Sequence, residues 1–124
     1  MDRALTIEVR RETEYVLVRV AGEVDIATVS GLRERLWALA TAGRPVVVDL
    51  ERVTFIDAGG LGVLASSAGR AAAHGSSLYV VCTRRQTRRL FRLTGLERRI
   101  PLAASLDEAL LQLAVALGKP ARRQ

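Results

Sequence analysis

The stretch VDLERVTFIDAGGLGVLASSAGRAAAHG, residues 48–75, decides the fold of this chain. It continues an apolar run that opens after Pro45 as VVVDL, which is typical of a strand covered on both faces. The run stops at Asp57, and beyond Ala-Gly-Gly the apolar residues recur at helical spacing until His74 and Gly75. The predicted inward face of this helix consists of Leu61, Leu64, Ala65, Ala68 and Ala72. The stretch therefore predicts a buried strand joined to a helix by the turn DAGG.

This strand-to-helix connection is the place where α/β proteins usually carry their sites. Glycines there permit a tight turn and expose backbone amides at the positive end of the helix. Asp57 is suited to cap those amides, which contributes about 1 kcal/mol. Turn formation and capping alone are also a sufficient explanation of these residues. The Gly-Gly-Leu-Gly sequence lacks the spacing of the common phosphate-binding loops, and the chain presents no catalytic dyad.

The chain before this stretch predicts two strands and one helix. Residues 5–10 and 15–22 alternate between apolar and polar side chains, as strands joined by a polar turn do. Apolar side chains then recur every three or four residues, which predicts an amphipathic helix over residues 27–41. Its inward residues are Val29, Leu32, Leu36 and Leu39. Asp25 and Thr28 are both candidates for its N-cap.

The chain after this stretch predicts another strand and another helix. SLYVVC, residues 77–82, has strand character, and residues 84–94 predict a helix that turns Leu90 and Leu93 inward. A short extended segment, RIPLA, follows.

A last helix is predicted over residues 105–117. Ser105 and Glu108 have the spacing of a capping box at its start. Its inward face consists of Leu106, Leu110, Leu113 and Leu117. Leu111 and Val115 lie off this face, so they are either docking contacts or part of a broadly buried helix.

The order of these elements predicts the fold class. After the first strand, strands and helices alternate, which indicates an α/β protein with a mixed, largely parallel sheet of about four to five strands and four helices. We predict one domain over residues 1–118 and a short basic tail over residues 119–124. So short a chain is expected to leave one face of the sheet partly open.

The composition excludes several classes of protein. A chain of 124 residues buries enough apolar surface without disulfides, and its single cysteine, Cys82, is predicted to be a small buried hydrophobe. His74 has no second histidine or cysteine nearby, so we expect no metal site and no cofactor. The N-terminal residues alternate and carry charges, and no apolar run is long enough to span a membrane. We therefore expect a cytoplasmic protein without membrane insertion.

The positive charge belongs to the second half of the chain. Residues 1–57 contain 8 basic and 10 acidic side chains, whereas residues 58–124 contain 11 basic and 3 acidic ones. Arg84, Arg88 and Arg92 share one helical stripe, which is a possible nucleic-acid footprint. An Arg-rich solvated face that steers acidic protein partners is the alternative. Because aromatic residues are only 4% of the chain, a stacking platform for single strands is disfavoured.

Several motifs together resemble a known family. GEVD at residues 22–25, DLERVTFIDAGGLGVL at 49–64, GSSLYVV at 75–81 and LFRLTGLERRIPL at 90–102 occur in the order seen in the STAS domain of bacterial anti-sigma factor antagonists. The signature of that family is D-L-x-x-V-x-F-I-D-S-S-G-L-G-V-L. The resemblance implies a STAS-like fold, no enzymatic activity, and binding of an anti-sigma factor, typically a serine kinase, so that a sigma factor is freed.

The resemblance also implies a partner-binding site at two turns that follow parallel strands. The first turn contributes Gly22, Glu23, Asp25 and Thr28, and the second contributes Asp57, Ala58, Gly59 and Leu61. We expect the two turns to meet at one end of the sheet. For Asp25, a plain N-cap is the alternative to direct contact.

One position departs from the family pattern. The family's phosphorylated serine directly follows the signature Asp, and here that position is Ala58, which has no hydroxyl to phosphorylate. Alanine presents the small neutral surface of the unphosphorylated form, whereas a phosphate adds about −1.5 to −2 charges. Other acceptors in principle are Thr54, Ser66 and Ser67, for which structural roles are expected.

Three functions remain open at this point. The first is an anti-sigma factor antagonist that binds its partner constitutively. The second is a STAS subunit of a larger assembly, such as a lipid-transport ATPase or a stress-sensing complex, with possible self-association. The third is a basic nucleic-acid-binding protein, which the low aromatic content disfavours.

Overall fold

A computed structural model describes residues 5–119, which form one five-stranded sheet and four α-helices. The strands are β1 (Thr6–Arg11), β2 (Val16–Val24), β3 (Val46–Ile56), β4 (Leu78–Val81) and β5 (Leu102–Ala103). The helices are α1 (Val29–Thr41), α2 (Ala58–Ala73), α3 (Arg85–Leu93) and α4 (Leu106–Ala116), with a short 3₁₀ turn at Leu96–Arg98. The predicted α/β class and element order are confirmed. The expected tail lies outside the described residues except for Lys119, whose ammonium group is 3.0 Å from a carboxylate oxygen of Glu14.

The sheet has the strand order β1-β2-β3-β4-β5. β1 runs antiparallel to β2, and the other neighbouring pairs are parallel. β3 is the central strand, and its residues Val46, Val47 and Val48 are all fully buried. The continuous apolar run after Pro45 therefore marks a strand covered on both faces, as predicted.

The larger core lies between one face of the sheet and α1, α2 and α3. α1 buries Leu32, Leu36 and Leu39, as its spacing predicted. In α2 the buried set differs from the prediction and consists of Gly60, Leu61, Val63, Leu64, Ser67 and Ala71, whereas Ala72 is exposed. The predicted face was wrong in part because α2 is rich in small residues on every side and packs against α1 as well as the sheet.

α3 also differs from the prediction. Leu93 was expected to face inward, but it is 67% exposed, and the helix buries Thr87 and Phe91 instead. These two residues are four apart and share one face of the helix. A phenylalanine buries more apolar area than a leucine, so the orientation that places Phe91 in the core is preferred.

Within residues 5–119, α4 is the one helix that packs on the second face of the sheet, and it covers part of it. Ala109 and Leu113 of this helix pack on Leu17, Val47, Tyr79, Val81 and Ala103. Leu117 was predicted to face inward, but it lies just past the end of α4 and is 51% exposed. Ser105 caps α4, since the Glu108 backbone N–H donates to Ser105 Oγ at 3.1 Å, and the Glu108 carboxylate accepts from the N–H of Ala104 rather than from that of Ser105. Leu111 and Val115 are exposed, which excludes the broadly buried helix.

The described residues leave the rest of this second face uncovered and polar, as expected for a short chain. Arg19 and Asp49 lie there within ion-pair distance, with 3.7 Å between Nε and Oδ2. Glu51 accepts hydrogen bonds from the backbone N–H and the hydroxyl of Thr83.

Cys82 belongs to the larger core. It is fully buried, as predicted, and burial raises the pKa of its thiol.

Candidate functional site

The two turns singled out in the sequence lie side by side. Each follows one of two neighbouring parallel strands, and Val24 at the end of β2 is paired with Ile56 at the end of β3. The backbone N–H of Asp57 donates to the carbonyl of Val24 at 3.3 Å. The expected meeting of the two turns at one end of the sheet is therefore observed.

The second turn is shorter than predicted. α2 begins at Ala58, so Asp57 alone separates strand from helix, and Ala-Gly-Gly forms the first helical turn. Asp57 has extended backbone angles, and its Oδ1 accepts from the Gly60 N–H at 3.1 Å. Asp57 is therefore the N-cap of α2, as predicted.

Gly60 has a different role from the one predicted. It has no positive φ, so it does not serve a tight turn. A Cβ at this position would lie 2.6 Å from Cγ1 of Ile56 and 2.8 Å from Cγ1 of Val24. The absence of a side chain lets the start of α2 pack directly on the ends of β2 and β3, which fixes the position of Ala58.

The first turn is held by its own side chains. Gly22 and Glu23 were predicted in this turn, but both lie within β2; Gly22 has a φ of 111°, and the pairing of β2 with β3 shifts between the two residues. The Thr28 hydroxyl donates to the carbonyl of Glu23 at 2.7 Å and accepts from the Asp25 N–H at 3.0 Å. Thr28 occupies the N-cap position of α1 but makes no side-chain cap bond there, and Asp25 instead accepts from the N–H of Ala27.

The tips of these turns expose apolar groups, and beside them lie three partly exposed acidic residues, Glu23, Asp25 and Asp57. Ala58 and Gly59 are exposed, and Ile26 at the tip of the first turn is 91% exposed. Leu61 was predicted both on the inward face of α2 and as a contact residue; it is only 6% exposed and belongs to the core, so its inward orientation is confirmed. Ile26 was not predicted as a contact residue. It lies between a strand and a helix, outside the apolar patterns of both, and this position could have indicated an exposed apolar side chain.

A shallow depression adjoins Ala58. Its volume is about 270 Å³. It is lined mainly by small and aliphatic residues, including Ala58, Leu61, Gly62, Ala65 and Leu96, with Arg99 at its side. Such a depression next to an exposed helix start is suited to receive one apolar side chain of a protein partner.

The other hydroxyls near the site differ in accessibility. Ser67 is fully buried in α2. Ser66 Oγ accepts from Trp37 Nε1 at 2.9 Å, which ties α2 to α1. Thr54 is exposed on β3, with its hydroxyl 3.4 Å from the carbonyl of Gly22. Of the three, Thr54 alone is exposed.

Several chemical roles find no support in the part of the chain that the structure describes. Residues 5–119 contain no group of three His, Cys, Asp or Glu side chains placed to hold a metal ion. His74 is exposed at the end of α2, where its Nδ1 lies 2.9 Å from the carbonyl of Arg70. The expected arginine stripe on α3 is not uniformly exposed. Arg88 is partly buried, and its Nε donates to the carbonyl of Cys82.

No helix within residues 5–119 combines the length and apolar character needed to cross a membrane.

Comparison with known proteins adds independent information. The STAS domain family model matches residues 6–109. The anti-sigma-B factor antagonist of Bacillus subtilis is 31% identical over 103 residues, which span 83% of this chain and 94% of that protein. The anti-sigma-B factor antagonist of Staphylococcus aureus is 33% identical over 94 residues, with 75% and 87% of the two chains covered.

A solved structure is similar over nearly the whole chain. The crystal structure of an anti-sigma factor antagonist from Mycobacterium paratuberculosis has a TM-score of 0.83 and 30% sequence identity. The similarity covers 91% of this chain and 97% of that one. Both turns lie inside the region that the family model matches.

Proposed function

The chain belongs to the STAS domain family, and from this premise we propose that it is an anti-sigma factor antagonist. In this role it binds an anti-sigma factor in the cytoplasm and so frees a sigma factor. It acts by binding and catalyses no reaction itself. The names of its relatives support this function, and the apolar surface at the two turns supports a protein partner.

The binding surface consists of the two turns. Gly22, Glu23, Asp25 and Thr28 border it on one side, and Asp57, Ala58 and Gly59 form the other. Leu61 contributes through the wall of the depression beside Ala58. Ile26 adds an exposed apolar side chain that the partner is expected to cover, because such a side chain gains free energy when it leaves water.

The observation that carries the proposal is the exposed methyl group of Ala58 at the first position of α2. A serine here would present a hydroxyl to a partner kinase, whereas alanine presents none. Position 58 is therefore always uncharged, and the surface is always competent to bind. We propose that the partner is an anti-sigma factor of the serine-kinase type, and that this chain escapes the phosphate switch.

Substitutions at Ala58 test this proposal. Tagged chain captures an anti-sigma factor from a lysate of the native cell, as identified by mass spectrometry. Ala58→Asp loses this partner because a further carboxylate replaces an uncharged methyl contact. Ala58→Ser keeps binding without ATP, gains one phosphate when the captured kinase and ATP are added, and then releases the partner. Intact mass measures the phosphate, and the natural chain gains none.

Ala72→Asp is the matched control, since Ala72 is exposed on the same helix but far from the turns. It keeps the partner. The chain would have a different STAS role if it captured a transport ATPase or a stress-complex component instead. The same would follow if the captured partner bound Ala58→Asp as well as it binds the natural chain.

A further inference from the structure

A second surface lies between the end of β3 and α3, and we name it the β3–α3 groove. Its volume is about 350 Å³. Residues that line it include Thr54, Phe55, Arg84, Arg89, Leu90 and Leu93. It shares no lining residue with the depression beside Ala58. The groove therefore adjoins the surface used in the proposed function, since Thr54 Oγ1 lies 3.4 Å from the carbonyl of Gly22, but it has lining residues of its own.

The floor of the groove is apolar and exposed. Phe55 is 50% exposed and Leu93 is 67% exposed, and they lie on different elements that face the same groove. Leu90 lies between the core and the groove, because it is partly buried and packs against the larger core. Large apolar side chains that converge in this way mark an interaction site more often than isolated exposed ones do.

The rim of the groove is basic. Arg84 and Arg89 line it, and Arg85 and Arg92 are exposed on the same helix. Within residues 5–119, none of these four guanidinium groups lies within ion-pair distance of a carboxylate. The rim therefore carries uncompensated positive charge that attracts an acidic partner.

We propose that the β3–α3 groove binds an acidic amphipathic helix of a partner protein. An apolar stripe of such a helix covers Phe55 and Leu93, and its flanking carboxylates pair with Arg84 and Arg89. Nucleic acid fits less well, because phosphates pair with the arginines but leave Leu93 in water. The chain's own terminus fits less well too, since residues 120–124 contain Arg122 and Arg123 and no acid.

Selection from a peptide library tests the groove even though the partner protein is not identified. A phage-displayed library of random peptides is selected on the full chain and counter-selected on the Leu93→Glu variant. The enriched peptides are expected to be rich in Asp and Glu, with apolar residues at helical spacing. Enrichment of neutral or basic peptides, or no enrichment over the counter-selection, overturns the proposal.

The most enriched peptide is then labelled, and its binding is measured by fluorescence anisotropy. Leu93→Glu is expected to weaken binding by about tenfold or more, because it removes the apolar contact, and its carboxylate can pair with Arg89 one helical turn away in place of the peptide's carboxylates. Arg89→Glu also weakens binding, and added salt reduces the affinity of the natural chain. Leu93 is exposed, so its substitution leaves the fold intact, which circular dichroism verifies.

Two variants are matched controls. Leu111→Glu places the same change on an exposed leucine of α4, and Arg98→Glu places the same charge reversal outside the groove. Both keep the affinity of the natural chain. Three results would each overturn the proposal. The controls lose as much affinity as Leu93→Glu, a duplex DNA of equal length binds more tightly than the peptide, or the free chain forms a dimer that the Leu93→Glu substitution dissociates. Ala58→Asp leaves peptide binding unchanged, which separates this result from the test of the proposed function.

Discussion

At the scale of single residues, Asp57 is the clearest case of a side chain with a structural role at a functional position. Its carboxylate accepts from the Gly60 N–H, and its own N–H donates to Val24. It therefore joins β2, β3 and α2 at one point. The cap hydrogen bond does not decide whether Asp57 also contacts a partner.

Asp57→Ala removes the cap and is expected to lower the free energy of unfolding by about 1 kcal/mol, because the Gly60 N–H loses its acceptor. Asp57→Asn keeps a capping oxygen and is expected to lose much less. Urea unfolding followed by circular dichroism measures both. Partner capture by the two variants separates the roles, since loss of binding in a well-folded Asp57→Asn chain would show that the charge itself contacts the partner.

At the scale of elements, α2 is positioned by close packing at its start and by one aromatic contact along its length. Gly60 lets the first turn of α2 pack against β2 and β3. Farther along the helix, Trp37 of α1 donates a hydrogen bond to Ser66. The guanidinium carbon of Arg70 lies 3.9 Å from the centroid of the Trp37 ring. Cation–π contacts of this kind contribute about 0.5–1 kcal/mol at exposed sites. These contacts hold the exposed methyl of Ala58 in place.

Two glycine substitutions on α2 are expected to have opposite effects. Gly60→Ala forces a Cβ against Ile56 and Val24, so we expect a loss of about 1–3 kcal/mol of stability. Gly69→Ala meets nothing within 4 Å, so we expect a gain of about 0.5–1 kcal/mol from better helix propensity. Thermal unfolding followed by Trp37 fluorescence compares them. A neutral Gly60→Ala would mean that the helix start is free to shift.

At the scale of the whole molecule, the sheet separates two unequal cores. In the described part of the chain, three helices cover one face, whereas one helix, α4, covers part of the other. The open remainder carries charged side chains such as Arg19 and Asp49, which are stable in water. Both apolar surfaces assigned to partners, the turns and the β3–α3 groove, lie near the end of β3, so partner binding is expected on that side of the molecule.

Leu113 tests how much the smaller core contributes. Leu113→Ala removes a side chain that is 4% exposed and is expected to cost about 2–5 kcal/mol. Leu111→Ala, on the same helix but 51% exposed, is expected to change stability by less than about 0.5 kcal/mol. Chemical denaturation of both variants gives the comparison. Equal small effects would show that α4 is not required for folding.

The sequence by itself determined the order of elements, the central position of β3, the capping roles of Asp57 and Ser105, and the family. These follow from local patterns, namely apolar period, cap residues and a contiguous signature, which do not depend on distant contacts. The position of the two turns also followed, because parallel strands end at the same edge of a sheet.

Only the tertiary structure decided the burial of several residues in the helices and at their ends. Ala72, Leu93 and Leu117 stayed in water, and Phe91 took the inward position on α3. A helix such as α3 can rotate about its axis to bury its largest apolar side chain. Because α2 has small residues on every side, its sequence does not single out one face for burial. The need for Gly60 and the existence of the β3–α3 groove likewise depend on how closely separate elements approach, which local spacing does not encode.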